Sequence, residues 1–260
     1  MKRVICSHTS PGKRKRPQTM SKNFELLQRA GWGEEYLEGI PVPVYTRHSP
    51  ASRQQTAPRP TDQISTLVQR LFQRSGGPHI RCVVFLGCTE TGSGTSVCAR
   101  TAQNLAARVQ DRVCVVDAKF EYPSMHRFFG KDNVAGLRDA VSHSRRGDNF
   151  VKQVEESNLW VLSAGDPGTG RRAAVSQRGL AECLMEIRAD FQYVLIDAPP
   201  LSGRSELSAL GQVADGAVLV VNAWGVSADM ADRGRARLRR ANVRLLGMVL
   251  NQDQASFPGA

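Results

Sequence analysis

The stretch that most constrains how this chain can fold is residues 81–97, RCVVFLGCTETGSGTSV. It starts with an apolar, β-branched run, passes into a loop rich in Gly, Ser and Thr, and continues into a helical pattern. Glycines in such a loop let backbone N–H groups turn toward an anion, and the helix N-terminus adds the positive end of its dipole. The order of strand, loop and helix therefore predicts a phosphate-binding cradle.

The loop departs from the P-loop pattern, G-x-x-x-x-G-K-[ST]. Gly94 and Ser96 fit this pattern, but Thr89 stands at the position of its first glycine and Thr95 at the position of its lysine. The order of elements is thus intact while the motif is altered. Any function proposed for the loop has to account for the missing lysine.

The rest of the chain alternates between strand and helix patterns. Apolar runs lie at 82–86, 112–117, 159–163, 193–197, 217–222 and 245–250, and helical stretches near 95–109, 134–142, 175–190, 205–213 and 227–241. Strands buried on both faces show continuous apolar runs, and alternation with helices is typical of a parallel sheet covered on both sides. This predicts one doubly wound, mostly parallel α/β domain over residues 78–252, of the P-loop NTPase type. Ligands of such folds bind beyond the carboxyl ends of the strands.

The N-terminal part has a different character. Residues 1–61 hold eleven Lys or Arg and four Asp or Glu, so they carry +7 of the chain's net charge of +11. We expect a flexible basic tail there with a short helix near 21–30, then an amphipathic helix over 62–77 and, at the other end of the chain, a tail over 253–260. The basic segment is either a solvated arm or a contact for anionic lipid or nucleic acid.

The sequence contains neither an apolar run of about 18 residues nor a signal-peptide core at its start. It therefore predicts no transmembrane helix and a cytoplasmic location. The basic N-terminus allows peripheral association with the inner face of the plasma membrane.

Polar residues follow three of the predicted strands. Asp117 and Lys119 end VCVVDAK, Asp197 ends YVLID, and Asn251 ends GMVLN. An apolar strand with a terminal Asp is the Walker B pattern, whose carboxylate orders the Mg²⁺ that bridges nucleotide phosphates. An Asp at a strand end is also a common turn former. Its combination with the glycine loop nevertheless favours a nucleotide site.

These motifs resemble those of the bacterial tyrosine kinases of capsule and exopolysaccharide loci, which are relatives of the partition and septum-site P-loop ATPases. The similar segments are TGSGTS (91–96), VCVVDAKFEYPSMHRFFG (113–130), YVLIDAPP (193–200) and LGMVLN (246–251). PSMHRFFG is the most specific of them, because the general ATPases lack it.

The resemblance implies an ATP site with Mg²⁺. The implied catalytic carboxylate is Asp117, with Lys119 as a candidate substitute cation. The implied metal ligands are Ser96, Asp117, Asp197 and Glu206, and the implied nucleotide-binding residues are Gly92, Ser93, Gly94, Thr95, Ser96 and Asn251.

Two departures from the family pattern bear on activity. Thr95 replaces the lysine that neutralises phosphate charge, and the loss of one such donor should cost roughly 10²–10³ in rate. Lys119 replaces the second acid of the family's D-x-D; it either reaches the phosphates from the neighbouring strand or is a surface lysine. The family's C-terminal tyrosine cluster and its oligomerisation motif are not recognisable, which argues against ring assembly; a homo-oligomer stays an open alternative.

Three hypotheses follow. The first is a tyrosine-kinase-like pseudokinase of exopolysaccharide or capsule biosynthesis, which without the lysine binds Mg-ATP or ADP weakly or not at all and regulates the cytoplasmic segment of a membrane polysaccharide co-polymerase. The second is an active tyrosine autokinase or ATPase that uses Lys119. The third is a partition-type ATPase acting on nucleic acid, against which PSMHRFFG argues. Retention of Ser96, Asp117, Asp197 and Glu206 favours nucleotide binding.

Overall fold

A computed structural model describes residues 60–73, 79–88, 93–142, 147–166, 175–201, 206–222 and 228–251. The predicted N-terminal tail, its short helix near 21–30, Gly92 and the tail over 253–260 lie outside these described residues. Within them, no helix is long and apolar enough to cross a membrane.

The described chain forms a seven-stranded sheet in the order β3-β4-β2-β5-β1-β6-β7. Neighbouring strands pair in parallel except β3, which is antiparallel to β4. This confirms the predicted doubly wound, mostly parallel α/β fold. The strands are β1 Cys82–Gly87, β2 Val113–Asp117, β3 Val151–Gln153, β4 Leu159–Leu162, β5 Tyr193–Ala198, β6 Gly216–Asn222 and β7 Leu245–Asn251.

Helices cover both faces of the sheet because alternate strand residues point to opposite sides. Val83 and Phe85 of β1 pack in the core cluster that includes the helices α1 and α2, whereas Val84 and Leu86 pack in the cluster that includes α4 to α7. The helices are α1 Pro60–Phe72, α2 Ser93–Ala106, α3 Met125–Phe128, α4 Leu137–Ser142, α5 Gln177–Asp190, α6 Leu207–Val213 and α7 Ala228–Arg240.

Short elements account for most differences from the predicted pattern. Strand β3 has three residues, VKQ, none of them buried, so it shows no apolar run. Helix α4 begins at Leu137 rather than near 134. Residues 134–136 form bends, and the Asn133 amide before them exchanges hydrogen bonds with the backbone of Gly165 at 2.9 and 3.0 Å. The 3₁₀ turn 147–150 and helix α3 are each only four residues long.

The strand order places the two Walker-type carboxylates side by side. Strand β5 lies between β1 and β2, and Asp117 is the direct register partner of Asp197. Asp197 is also in register with Phe85 of β1. Both carboxylates therefore emerge where the chain leaves β1 for the glycine loop.

Gly136 allows the close approach of α4 to the end of β4. A Cβ at this position would lie 2.0 Å from the Ser163 carbonyl oxygen and 2.6 Å from the Gly165 nitrogen, both backbone atoms. We expect Gly136→Ala to lower the free energy of unfolding by about 3 kcal/mol or more, measured by urea denaturation. Gly130→Ala is the control: Gly130 has φ +61° with nothing within 4 Å of the added Cβ, so only backbone strain of about 1 kcal/mol applies. Equal losses would contradict the steric argument.

Candidate functional site

Thr95, at the position of the missing lysine, lies against the end of β5. It is fully buried in the first turn of α2, and its Oγ1 donates a hydrogen bond to Asp197 Oδ2 at 2.7 Å. The turn lies close to the sheet at Gly94, where an added Cβ would be at ordinary contact distance from the Gly87 nitrogen (3.4 Å) and Asp197 Oδ1 (3.8 Å). The first turn of the loop helix is thus joined directly to the Asp197 carboxylate, the predicted Walker B residue.

Lys119 reaches the same point from the end of β2. Only 13% of its side chain is exposed, and its Nζ lies 2.9 Å from Asp197 Oδ2. The ammonium also donates to Ser124 Oγ at 3.1 Å and to Thr95 Oγ1. Lys119 is therefore no surface lysine, although its role toward phosphate stays a prediction.

Asp117 holds the segment that carries Lys119. Its Oδ1 accepts the backbone N–H of Lys119 at 3.0 Å, and its Oδ2 accepts the N–H groups of Ser124 and Met125, each at 2.9 Å. Both carboxylate oxygens thus bind the turn between β2 and α3. This fixes Lys119 and Ser124 relative to the strand ends.

The site contains one ammonium between two buried carboxylates. Burial, and then the charge of Asp197, raise the pKa of Asp117 to about 6, although Lys119 and the N–H groups of Met125 and Ser124 act in the opposite direction. Burial by itself would lower the pKa of Lys119, but the Asp197 and Asp117 carboxylates outweigh it and raise that pKa above its ordinary value. Lys119 is therefore charged at neutral pH.

The other predicted site residues lie around this cluster. Ser96 is half-buried in the first turn of α2, Ser93 begins that helix, and Glu206 is half-buried just before α6. Asn251 is buried at the end of β7, two strands away from β1 on the same edge of the sheet. Their roles stay predictions.

Sequence reasoning assigned no role to Ser124, which the structure places in the cluster. It precedes α3, and its Oγ lies 3.1 Å from Lys119 Nζ and 3.3 Å from Thr95 Oγ1. Its position inside PSMHRFFG, the most specific segment of the resemblance, was the available signal.

The predicted magnesium ligation stays a prediction, but the donors do not fit the ion in the arrangement described. Asp197 Oδ2 already binds an ammonium and a hydroxyl, and both Asp117 oxygens bind backbone N–H groups. Within the described part of the chain, no group of three or more His, Cys, Asp or Glu residues could hold a metal ion.

Comparison with known proteins assigns the chain to a family. The family model described as ParA, NUBPL iron-transfer P-loop NTPase, matches residues 79–259. This chain belongs to the ParA family of P-loop NTPases. The family match agrees with the glycine loop and the paired strand-end carboxylates.

Individual relatives of this ParA-family chain are tyrosine kinases, which confirms the resemblance seen in the motifs. Tyrosine-protein kinase YwqD of Bacillus subtilis (strain 168) is 27% identical over 165 residues, which are 64% of this chain and 70% of the relative. Tyrosine-protein kinase ptk of Acinetobacter johnsonii is 21% identical over 166 residues, 64% of this chain but only 23% of the relative. The kinase domain of Escherichia coli tyrosine kinase ETK shares the fold, with a TM-score of 0.62, 18% identity, and coverage of 87% of this chain and 90% of that one.

The ammonium of Lys119 should dominate the stability of this cluster. Lys119→Met leaves two buried carboxylates without a cation, so we expect the free energy of unfolding in urea to fall by about 3–5 kcal/mol. Lys152→Met is the matched control, because Lys152 pairs with Asp132 where the two side chains are 31% and 61% exposed; its loss should cost about 1 kcal/mol or less. Similar losses for both variants would show that the buried pair has no special weight.

The raised pKa of Asp117 predicts that the free energy of unfolding depends on pH. Its folded-state value of about 6 lies above the ordinary 3.8, so its contribution to stability is present below about pH 4 and is lost as the pH rises through 6. Relative to Asp117→Asn, which does not titrate, the wild type should lose up to about 3 kcal/mol between pH 4 and pH 7. Urea denaturation of both proteins across this range measures the difference. A difference that is constant with pH, or that grows in favour of the wild type, would contradict the assignment.

Proposed function

We propose that this protein binds ATP or ADP where α2 begins, with Lys119 supplying the positive charge that a P-loop lysine would supply. The observation that carries the proposal is the hydrogen bond between the Lys119 ammonium and the hydroxyl of Thr95, the residue at the lysine position. A cation from the end of β2 therefore lies at the N-terminus of the loop helix, where the proposal puts the phosphates.

The surroundings of Lys119 support phosphate binding. Helix α2 has 14 residues, and its N-terminus follows the glycine loop, so its dipole favours an anion at this end. The Asp197 and Asp117 carboxylates offset part of the ammonium charge. We therefore expect weaker nucleotide binding than at a P-loop that keeps its lysine.

In the cell, this nucleotide site would serve a tyrosine-kinase-like regulator of exopolysaccharide or capsule biosynthesis. The support is the PSMHRFFG segment together with relatives that are tyrosine-protein kinases. The partner that this similarity suggests is the cytoplasmic segment of a membrane polysaccharide co-polymerase. The protein would then act at the inner face of the plasma membrane.

A second candidate function is phosphoryl transfer by the same site. The pKa of Asp117, raised to about 6 by burial and the Asp197 charge, suits a general base near neutral pH. Against this, both of its oxygens accept backbone N–H groups, so abstracting a proton would require one of these bonds to break. Regulation by nucleotide binding is therefore the function we favour.

Calorimetric titration of ATP and of ADP into the full chain tests the proposal, in one buffer with Mg²⁺ and one with EDTA. We expect saturable binding by the wild type in at least one buffer, and a Kd about 10–100 times higher for Lys119→Ala, since a charged hydrogen bond to phosphate contributes about 1.5–3 kcal/mol. Lys152→Ala should leave Kd unchanged.

Two results would contradict the proposed function. The first is the absence of binding by the wild type up to millimolar nucleotide in both buffers. The second is equal affinity of the wild type and a folded Lys119→Ala variant. That result would mean that the Lys119 ammonium does not contact the nucleotide.

A further inference from the structure

The Lys119 ammonium pairs with the carboxylate at the position where P-loop NTPases hold magnesium. In these proteins Mg²⁺ is held by the Ser or Thr of the P-loop and by the Walker B Asp. Here the ammonium lies 2.9 Å from Oδ2 of Asp197, at the Walker B position, and bonds to the hydroxyl of Thr95, which directly precedes Ser96 at the P-loop Ser or Thr position. Ser124 Oγ is a third oxygen around it, at 3.1 Å.

This arrangement disfavours a divalent ion beside Asp197. Mg²⁺ needs near-octahedral oxygen ligands at about 2.0–2.1 Å. The Thr95 hydroxyl donates a hydrogen bond to Asp197 Oδ2, the same oxygen that pairs with Lys119. A magnesium ion bound there would lie next to a buried ammonium, and like charges at such a distance repel strongly.

We infer that the Lys119 ammonium acts in place of Mg²⁺, so that the ligand of this site is a nucleoside di- or triphosphate free of metal. The inference rests on the proposed function and adds which form of the nucleotide is recognised. Phosphate oxygens would replace Ser124 or Thr95 as acceptors of the ammonium. A nucleotide that carries Mg²⁺ would bring a dication against the same ammonium and would bind less well.

Residues 95 and 119 together decide where the cation of this site comes from. Thr95 is small enough to leave space above Asp197, and Lys119 fills that space from β2. A lysine at 95 together with an acid at 119 would return the cation to the P-loop and leave Asp197 and the new carboxylate for a metal. The pair of residues, rather than either alone, then sets the metal requirement.

The test compares the Kd of ATP for the wild type in excess Mg²⁺ and in EDTA by titration calorimetry. The expected Kd in EDTA is equal to that in Mg²⁺ within about threefold, or lower. Binding at least tenfold tighter in Mg²⁺ would overturn the inference while leaving the proposed nucleotide binding intact. Failure to bind in either buffer would overturn both.

The double variant Thr95→Lys, Lys119→Asp tests whether moving the lysine to position 95 restores a requirement for metal. We expect it to bind ATP at least tenfold more tightly with Mg²⁺ than with EDTA, whereas the surface control Lys152→Asp should keep the wild-type ratio. A folded double variant with the wild-type ratio would overturn the assignment to these two residues.

A measurement on the wild type covers the case in which the double variant does not fold. In a mixture of Mn²⁺ and ATP, a protein that takes free ATP releases Mn²⁺, so the electron paramagnetic resonance signal of aqueous Mn²⁺ should rise when protein is added. A fall in that signal would show that metal and nucleotide bind together, and would overturn the inference.

Discussion

The buried ion pair between Lys119 and Asp197 is the interaction on which the candidate site depends. Transfer of both charges out of water is costly, and the pair offsets this cost only because hydroxyl and backbone groups satisfy the remaining donors and acceptors. Thr95 and Ser124 share the ammonium, while Asp117 binds the turn that presents it. Together with Thr95, the pair thereby joins α2 and the end of β2 to β5, which follows much later in the sequence.

Under the proposed function, the same network would let an altered P-loop keep a cation and yet bind phosphate weakly. In an intact loop the lysine extends from the helix toward the ligand. Here the ammonium comes from a strand end and is already surrounded by protein oxygens, so a nucleotide has to displace one of them. In the proposed binding mode, the bonds that stabilise the folded protein are therefore the bonds that a nucleotide has to break, so a more stable cluster binds nucleotide more weakly.

Much of the fold could be predicted because its strands are buried on both faces. The apolar runs at 82–86 and 193–197 each identify their strand to within one residue, as the observed Cys82–Gly87 and Tyr193–Ala198 show. Strand β3 could not be found this way, because three partly exposed residues on the edge of a sheet leave no apolar pattern. Helix α3 is equally short, and the Asp117 carboxylate, rather than a periodic apolar face, holds its start.

The sequence by itself determined the fold class, the glycine loop, the missing lysine and the strand-end positions of Asp117, Lys119 and Asp197, because burial and chain order leave local patterns. Only the tertiary structure decided what these residues contact. Register in the sheet sets Asp117 beside Asp197, and the turn held by Asp117 brings the Lys119 ammonium to Thr95 and Ser124. The pairing of Asp117 with Asp197 and the contact of Lys119 with Thr95 join residues more than twenty positions apart and depend on strand order, which no local pattern encodes.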